Sequence, residues 1–148
     1  MTPLDPRALA HATRCTCFSL RKAARAVTQL YDEALRPTGL RATQFSMLTL
    51  LQTAGTVPMS HLAEEAVMDR TTLSRNLDVL ERDGLVRIRP GADARVREVE
   101  LTPAGMAKLE AAYPHWRRAQ RAVARSLGPR RVERMLTDLS TAVSAAES

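Results

Sequence analysis

The side chains best suited to chemistry lie between residues 60 and 102, and they are hydroxyls and guanidinium groups rather than nucleophiles or metal ligands. Asp69-Arg70-Thr71-Thr72 and Arg75 open one short periodic stretch. Arg87, Arg89, Arg95 and Arg97 flank Pro90, Gly91 and Asp93 just beyond it. A guanidinium offers donors in a rigid fork that fits phosphate and the acceptor edge of guanine, and a threonine hydroxyl can bond either. Such a set holds a polyanion and cleaves nothing. The spacings of a nucleophile elbow, a phosphate loop, a dinucleotide turn and a zinc protease are all missing, so no catalytic residue, metal or other cofactor is expected.

Those groups need elements to present them. Leu62, Ala63 and Ala66 share one face of a short helix that Ser60 can cap, and after the joint Ala66-Val67-Met68, Asp69 can cap a second. That is helix-turn-helix spacing. On the second helix, at about 100° per residue, Leu73, Leu77 and Leu80 form one stripe while Thr71, Arg75, Asp78 and Arg82 point away. The polar face and the helix N-terminus suit phosphates and base edges in a major groove. An ordinary solvated helix could carry the same charges, and the next segment shifts the balance. Gly84 closes the helix, Leu85 to Arg89 alternates as a strand, and Arg97 to Leu101 returns with Val99 and Leu101 on one face. The expected product is a hairpin wing with four arginines, suited to a narrow, electronegative minor groove.

With 148 residues and 45% hydrophobic content, the chain can fill one core, and a single domain over 1–148 is expected. No apolar run approaches a membrane span, and MTPLDPRALAHATR lacks a signal-peptide stretch, so a cytoplasmic protein with no membrane partner is expected. Cys15 and Cys17 are too close together for a disulfide framework, which agrees with a reducing compartment. A formal charge of +6 permits polyanionic partners without choosing among them. Only Lys22 and Lys108 are lysines, so the positive charge is nearly all guanidinium, although a GC-rich genome would give the same bias. Five aromatics are too few for a platform that stacks single strands.

Pro3 and Pro6 mark residues 1 to about 12 as a loose arm. From about Thr13, Leu20, Ala23, Ala24, Val27, Leu30, Tyr31 and Ala34 predict a helix of roughly six turns, ended by Pro37-Thr38-Gly39. Thr43 offers the cap of the next, which carries Phe45, Leu48 and Leu51 and stops near Gly55. Thr102-Pro103 opens a helix to Leu127 with a kink expected at Pro114, and Gly128-Pro129 precedes a last one. There Val132, Met135, Leu136, Leu139 and Val143 share a face. The terminal helices hold more apolar positions than a small winged unit needs. A two-fold homodimer would cover them and set two recognition helices about 34 Å apart on a near-palindromic double-stranded site. A larger monomeric bundle is the alternative.

Along nearly its whole length the sequence resembles the MarR family of winged-helix regulators. The resemblance rests on LRPTGLRATQFSMLTLL, LAEEAVMDRTTLSRNLDVLERDGLVR, DAR in the wing and LTPAG at its exit. It implies a mainly α fold with a small β-hairpin wing: a winged helix-turn-helix part over about 40–102, flanked by dimerisation helices over about 13–36 and 103–146. It further implies a homodimeric repressor released by a small ligand. Matched by position, Arg70, Thr71, Thr72 and Arg75 fall at the major groove, and Arg95, oriented by Asp93, at the minor groove; Ser60 and Arg97 complete the DNA-facing set. Val67 departs from the family, which often has Gly at that turn, so a differently built turn is expected; Pro114 leaves the dimer angle open.

Cys15-Thr16-Cys17-Phe18 is the segment that DNA binding does not absorb. Small apolar fillers at a helix start would explain it. The resemblance implies a ligand cleft between the first helix and the winged part, with Cys17, Phe18, Arg21, Phe45 and Trp116 as wall residues. An arginine there suits an aromatic carboxylate, and an apolar wall suits a neutral phenol. Oxidation of Cys15 or Cys17 is a second route to release. Two other classes stay open: a non-specific chromosome-associated DNA-binding protein, and a small thiol- or metal-dependent enzyme using His11, Cys15 and Cys17.

Overall fold

The computed structural model describes residues 5–146, and these form seven helices and three short strands. Pro6–Ala12, expected to be a loose arm, is a short helix, α1. Asp5 caps it by accepting from Arg7 N at 2.9 Å, and Pro6 sits in the first turn, where its missing N–H is harmless. The long helix α2 spans Thr16–Leu35. It therefore starts later than Thr13, with Cys15 at the N-cap position and Cys17 inside the first turn. A 3-10 turn, Arg36–Thr38, and Gly39 with φ 77° end it.

Helix α3 covers Ala42–Ala54, and its N-cap is Arg41 rather than Thr43. The cap groups come from outside its own first residue: Asp32 on α2 accepts from Ala42 N at 2.7 Å and pairs with Arg41 at 3.1 Å, while Gln44 accepts from Arg41 N at 2.8 Å. A two-residue strand β1, Val57–Pro58, leads into α4, Met59–Glu65. Because the strand runs straight into the helix, Pro58 holds the cap position and Ser60 is the second residue of the helix, not its cap as expected.

Helix α5, Arg70–Arg82, buries Leu73, Leu77 and Leu80 as the stripe predicts. It ends on Gly84 at φ 72°, where Leu85 N bonds Leu80 O and Gly84 N bonds Glu81 O. Strands β2 (Val86–Pro90) and β3 (Arg97–Leu101) form the wing. They pair antiparallel with Val86 opposite Leu101 and Ile88 opposite Val99. The sheet has a third member that the sequence pattern missed, since β1 pairs with β3 in the order β1-β3-β2. Val57, Val86 and Val99 are buried and join the leucines of α3, α4 and α5 in one core.

Helix α6 runs from Pro103 to Leu127 without interruption at Pro114. The bond lost there is the one to the carbonyl of Glu110; both residues are exposed, so water can satisfy that oxygen. Its contacts with α2, α3 and α7 make it the strut between the wing and the terminal helices. Helix α7, Pro129–Ala146, buries Val132 but leaves Met135, Leu136, Leu139 and Val143 36–51% exposed. Among the described residues no helix is long and apolar enough to cross a membrane.

Candidate nucleic-acid interface

The recognition helix is held at its first turn by one carboxylate. Asp69 accepts from Thr72 N at 2.9 Å and from the Thr72 hydroxyl at 2.6 Å. The hydroxyl bond, followed by the backbone bond, holds the Asp69 carboxyl below its ordinary pKa. Thr72 thus donates its hydroxyl to the cap and keeps only acceptor capacity there. Of the two exposed threonines, Thr71 is the one whose hydroxyl is not bonded to Asp69.

The turn before this helix takes the left-handed conformation despite its side chain. Val67 has φ 50° and is 59% exposed, with Val67 N bonded to Glu64 O and Met68 N to Ala63 O. The expected alternative turn does not occur. The joint keeps the geometry that glycine would adopt freely, and the β-branched residue bears the strain.

Ser60, Arg70, Arg95 and Arg97 converge on a cleft of about 380 Å3 between α5 and the wing, floored by Met59 and Leu73. Ser74 also lines it and was not singled out in the sequence; as the residue one turn after Arg70 it could have been. The wing loop is shaped by Asp93, which accepts from Arg95 N at 3.0 Å and lies 3.5 Å from Arg95 Nε, while Gly91 N bonds Val96 O at 2.7 Å. Arg95 is otherwise 93% open to solvent. Arg75 is exposed on α5, opposite the leucine stripe.

The wing does not present four equivalent arginines. Arg87 and Arg89 both pair with Glu100 on the outer face, at 3.3 and 3.0 Å. Register explains this: Arg87 faces Glu100 directly across the ladder, and Arg89 reaches it diagonally. Arg95 and Arg97 remain for the cleft.

A junction of four residues fixes the wing to the strut. Thr102 N bonds Leu85 O at 3.1 Å, the Thr102 hydroxyl donates to Gly84 O at 2.7 Å, and the same oxygen accepts from Gly105 N at 3.0 Å.

The residues expected to line one ligand cleft fall into two places. Phe45 and Trp116 stack at 5.8 Å with a 14° interplanar angle, and Tyr113 stacks with Trp116 at 5.5 Å. Tyr31, which sequence reasoning did not connect to this region, donates its hydroxyl to Gln120, one helical turn from Trp116. Burial pushes the Tyr31 phenol above its ordinary pKa. Cys17, Phe18 and Arg21 are exposed near the start of α2, and Phe18 lies 13 residues, about 20 Å of helix, from Tyr31. One chain therefore does not bring the five together. Among the described residues, no group of three His, Cys, Asp or Glu side chains is placed to hold a metal, so His11, Cys15 and Cys17 form no such set.

A helix-turn-helix whose second helix stands beside an arginine-tipped hairpin defines a winged-helix transcriptional regulator. A model of the MarR family matches residues 38–96. The transcriptional regulator MosR of M. tuberculosis, solved in complex with DNA, is 47% identical, with a TM-score of 0.79 over 90% of this chain and 99% of that one. A probable transcriptional regulator from Pseudomonas aeruginosa is 28% identical, with a TM-score of 0.77 over 85% of this chain and 95% of that one. The uncharacterized HTH-type transcriptional regulator YwoH of Bacillus subtilis (strain 168) is 28% identical over 102 residues, 69% of this chain and 74% of that one. The chain belongs to the MarR family.

Proposed function

We propose that this protein is a sequence-specific repressor that binds double-stranded DNA as a homodimer and is released by a small ligand or by thiol oxidation. The observation that carries the reading is the convergence of Arg70, Arg95 and Arg97 with Ser60 on one cleft, beside the outward Arg75 and Thr71 of α5. A duplex lying across that face meets guanidinium groups at a groove floor and at the backbone next to it. Asp93 presets the wing loop, so less conformational freedom is lost when Arg95 enters a minor groove. In this reading residues of about 40–102 engage DNA, and those of about 13–36 and 103–146 dimerise. The open apolar stripe of α7, together with Leu20, Val27 and Leu30 on α2, supports that division.

The effector reading rests on two separate places. Phe45, Trp116 and the Tyr31–Gln120 pair sit where α2 and α3 meet the strut, a position from which a ligand could shift the winged part. Cys15, Cys17, Phe18 and Arg21 lie at the far end of α2, exposed to solvent and so open to an oxidant. The protein acts in the cytoplasm, with the DNA it reads.

Sequencing genomic fragments retained by the purified protein tests the proposal. The expected result is a near-palindrome with half-sites about one helical turn apart, preferred strongly over random duplex. Equal competition by random DNA would replace this reading with a non-specific chromosome-associated protein.

A further inference from the structure

The net positive charge of this protein does not come from the segment that holds the DNA-reading surface. Residues 28–116, which hold the recognition helix and wing, carry ten Lys and Arg against twelve Asp and Glu. The helical ends, 5–27 and 117–146, carry twelve against three. Residues 117–134 alone hold seven arginines and one glutamate, a net of +6 that equals the formal charge of the entire chain. Solubility needs no such segregation, and a concentrated field of one sign is a feature of polyanion contact.

The arginines are also ordered in space. At about 100° per residue, Arg117, Arg118, Arg121 and Arg125 fall within one arc of about 100° on α6, facing away from the side that buries Ala112 and Ala119. On α7, Arg130 lies opposite the apolar stripe through Leu136 and Leu139, so covering that stripe leaves it open, while Arg134 borders the groove that Leu139 lines. All six are exposed, and among the described residues none has a carboxylate within 4.0 Å. Two are partly positioned: Arg117 lies 5.9 Å from the centre of the Tyr113 ring, and Arg118 bonds His115 Nδ1 at 2.6 Å. Along α6, Arg117 to Arg125 stand about 20–33 Å from Pro103 at the wing exit.

We propose that this arginine face is a second, sequence-independent surface for duplex DNA, which lets a protein bound to its site by the winged parts hold another duplex segment at the same time. The inference rests on the reading of the winged part as DNA-binding. Duplex DNA is favoured over single strands because the face offers a row of guanidinium groups for a phosphate backbone, with no open aromatic series on which bases could stack. Since a near-palindromic site engages both reading heads of a dimer, a second duplex must be held elsewhere.

The test uses the full chain on a bead-tethered duplex carrying a sequence enriched from genomic DNA, with a free, labelled random-sequence duplex in solution. Arg117→Gln, Arg118→Gln, Arg121→Gln and Arg125→Gln together remove the charge of α6 while keeping good helix formers at exposed positions; the matching four-lysine variant keeps the charge. Native protein and the lysine variant are expected to capture the free duplex. The glutamine variant should capture about tenfold less while its affinity for the tethered duplex stays within about twofold, and capture should fall steeply with salt. Undiminished capture by the glutamine variant overturns the proposal. So does preferential capture of single-stranded RNA or phosphatidylglycerol vesicles over duplex at equal phosphate. A native protein that binds enriched and random duplexes equally in a single-duplex titration would instead refute the operator reading, whatever the capture result.

Discussion

A β carbon at Gly105 would stand 2.0 Å from the backbone oxygen of Leu85. The first turn of the strut helix α6 therefore lies against the junction of α5 with the wing, which leaves no room for a side chain at position 105. Thr102 bonds Gly84, Leu85 and Gly105 at once, which is possible only if the first turn of α6 sits directly on that junction. The obstacle is backbone, so a side chain at 105 cannot be accommodated by a rotamer change. Gly105→Ala is therefore expected to lower stability by about 3 kcal/mol, the upper end for overpacking, and to move the wing relative to α5. A urea midpoint unchanged from the native protein would contradict the close approach.

Val67 offers the opposite sign. Left-handed backbone costs an L-residue roughly 1–2 kcal/mol, whereas glycine in that conformation costs only about 0.5–1 kcal/mol through the freedom it gains when unfolded. The Val67 side chain is mostly in solvent, so little burial is lost on its removal. Val67→Gly should raise stability by up to about 1 kcal/mol, with the same dependence on urea concentration. A lower midpoint would mean that the apolar contacts of Val67 outweigh the strain at φ 50°.

The Asp69 cap predicts a pH dependence. Its folded pKa is depressed by the Thr72 hydroxyl and backbone N–H, so its contribution is present above the unfolded pKa and is lost as pH falls through the lower folded value. Asp69→Ala should unfold at a lower temperature than the native protein at about pH 7, with the gap narrowing towards about pH 3, below the ordinary carboxylate value of about 3.9. Thr72→Val, which removes only the hydroxyl bond, should show a smaller gap with the same trend. A gap that stays constant over this range would show that the charge of Asp69 contributes nothing to the cap.

What could be read in the sequence follows from how local each signal is. The leucine stripe of α5, the Asp69 cap, the Gly84 stop and the Thr102-Pro103 start each depend on residues within one or two turns, and all stand as expected. The start of α3 was misplaced because its cap comes from Asp32, ten residues earlier on another helix. Strand β1 has two residues and exists only through pairing with β3, so no alternation announces it. Within the site, the outward Arg75 was legible as a local pattern, and the orientation of Arg95 by Asp93 came from the family resemblance. The sharing of Glu100 by Arg87 and Arg89 needed the strand register, and the meeting of Tyr31 with Gln120 needed the crossing of two helices.

Arg75 and Arg95 should divide the work of recognition. Arg75 is on the outer face of α5 without a carboxylate partner among the described residues, whereas Arg95 extends from a turn set by Asp93. Arg75→Ala is expected to weaken the cognate site by about 1–3 kcal/mol and to blur preference at one base position, while Arg95→Ala should weaken all duplexes and reduce the salt slope by about one. Equal losses on cognate and random DNA for Arg75→Ala would reject the division. Deleting residues from Gly128 onward should abolish tight binding of the full site through loss of the dimer, and a truncated monomer that still binds it tightly would refute the dimer reading.

The two cysteines give the last prediction. Cys15 caps α2 without a side-chain bond and has extended backbone, with ψ 127°, and Cys17 lies in the first turn; both thiols are exposed. The helix therefore starts between them. Oxidising either sulfur adds a polar group, or joins it to a second thiol with loss of two electrons and two protons to the oxidant. Both changes act at the end of α2, where Thr16 and Leu20 face Met135 and Leu139 of α7 across a shallow groove. Rearranging that contact would alter how the terminal helices meet and, through the α6 strut, the separation of the two recognition helices. Peroxide is expected to weaken operator binding and a dithiol reductant to restore it, with Cys15→Ser or Cys17→Ser blunting the response. A covalent dimer on a non-reducing gel would identify a cross-link between subunits, and its absence with a retained response would point to a sulfenic acid or a disulfide within one chain. If peroxide leaves native affinity unchanged, or both serine variants respond as the native protein does, the thiols are packing residues and release must come from a ligand alone.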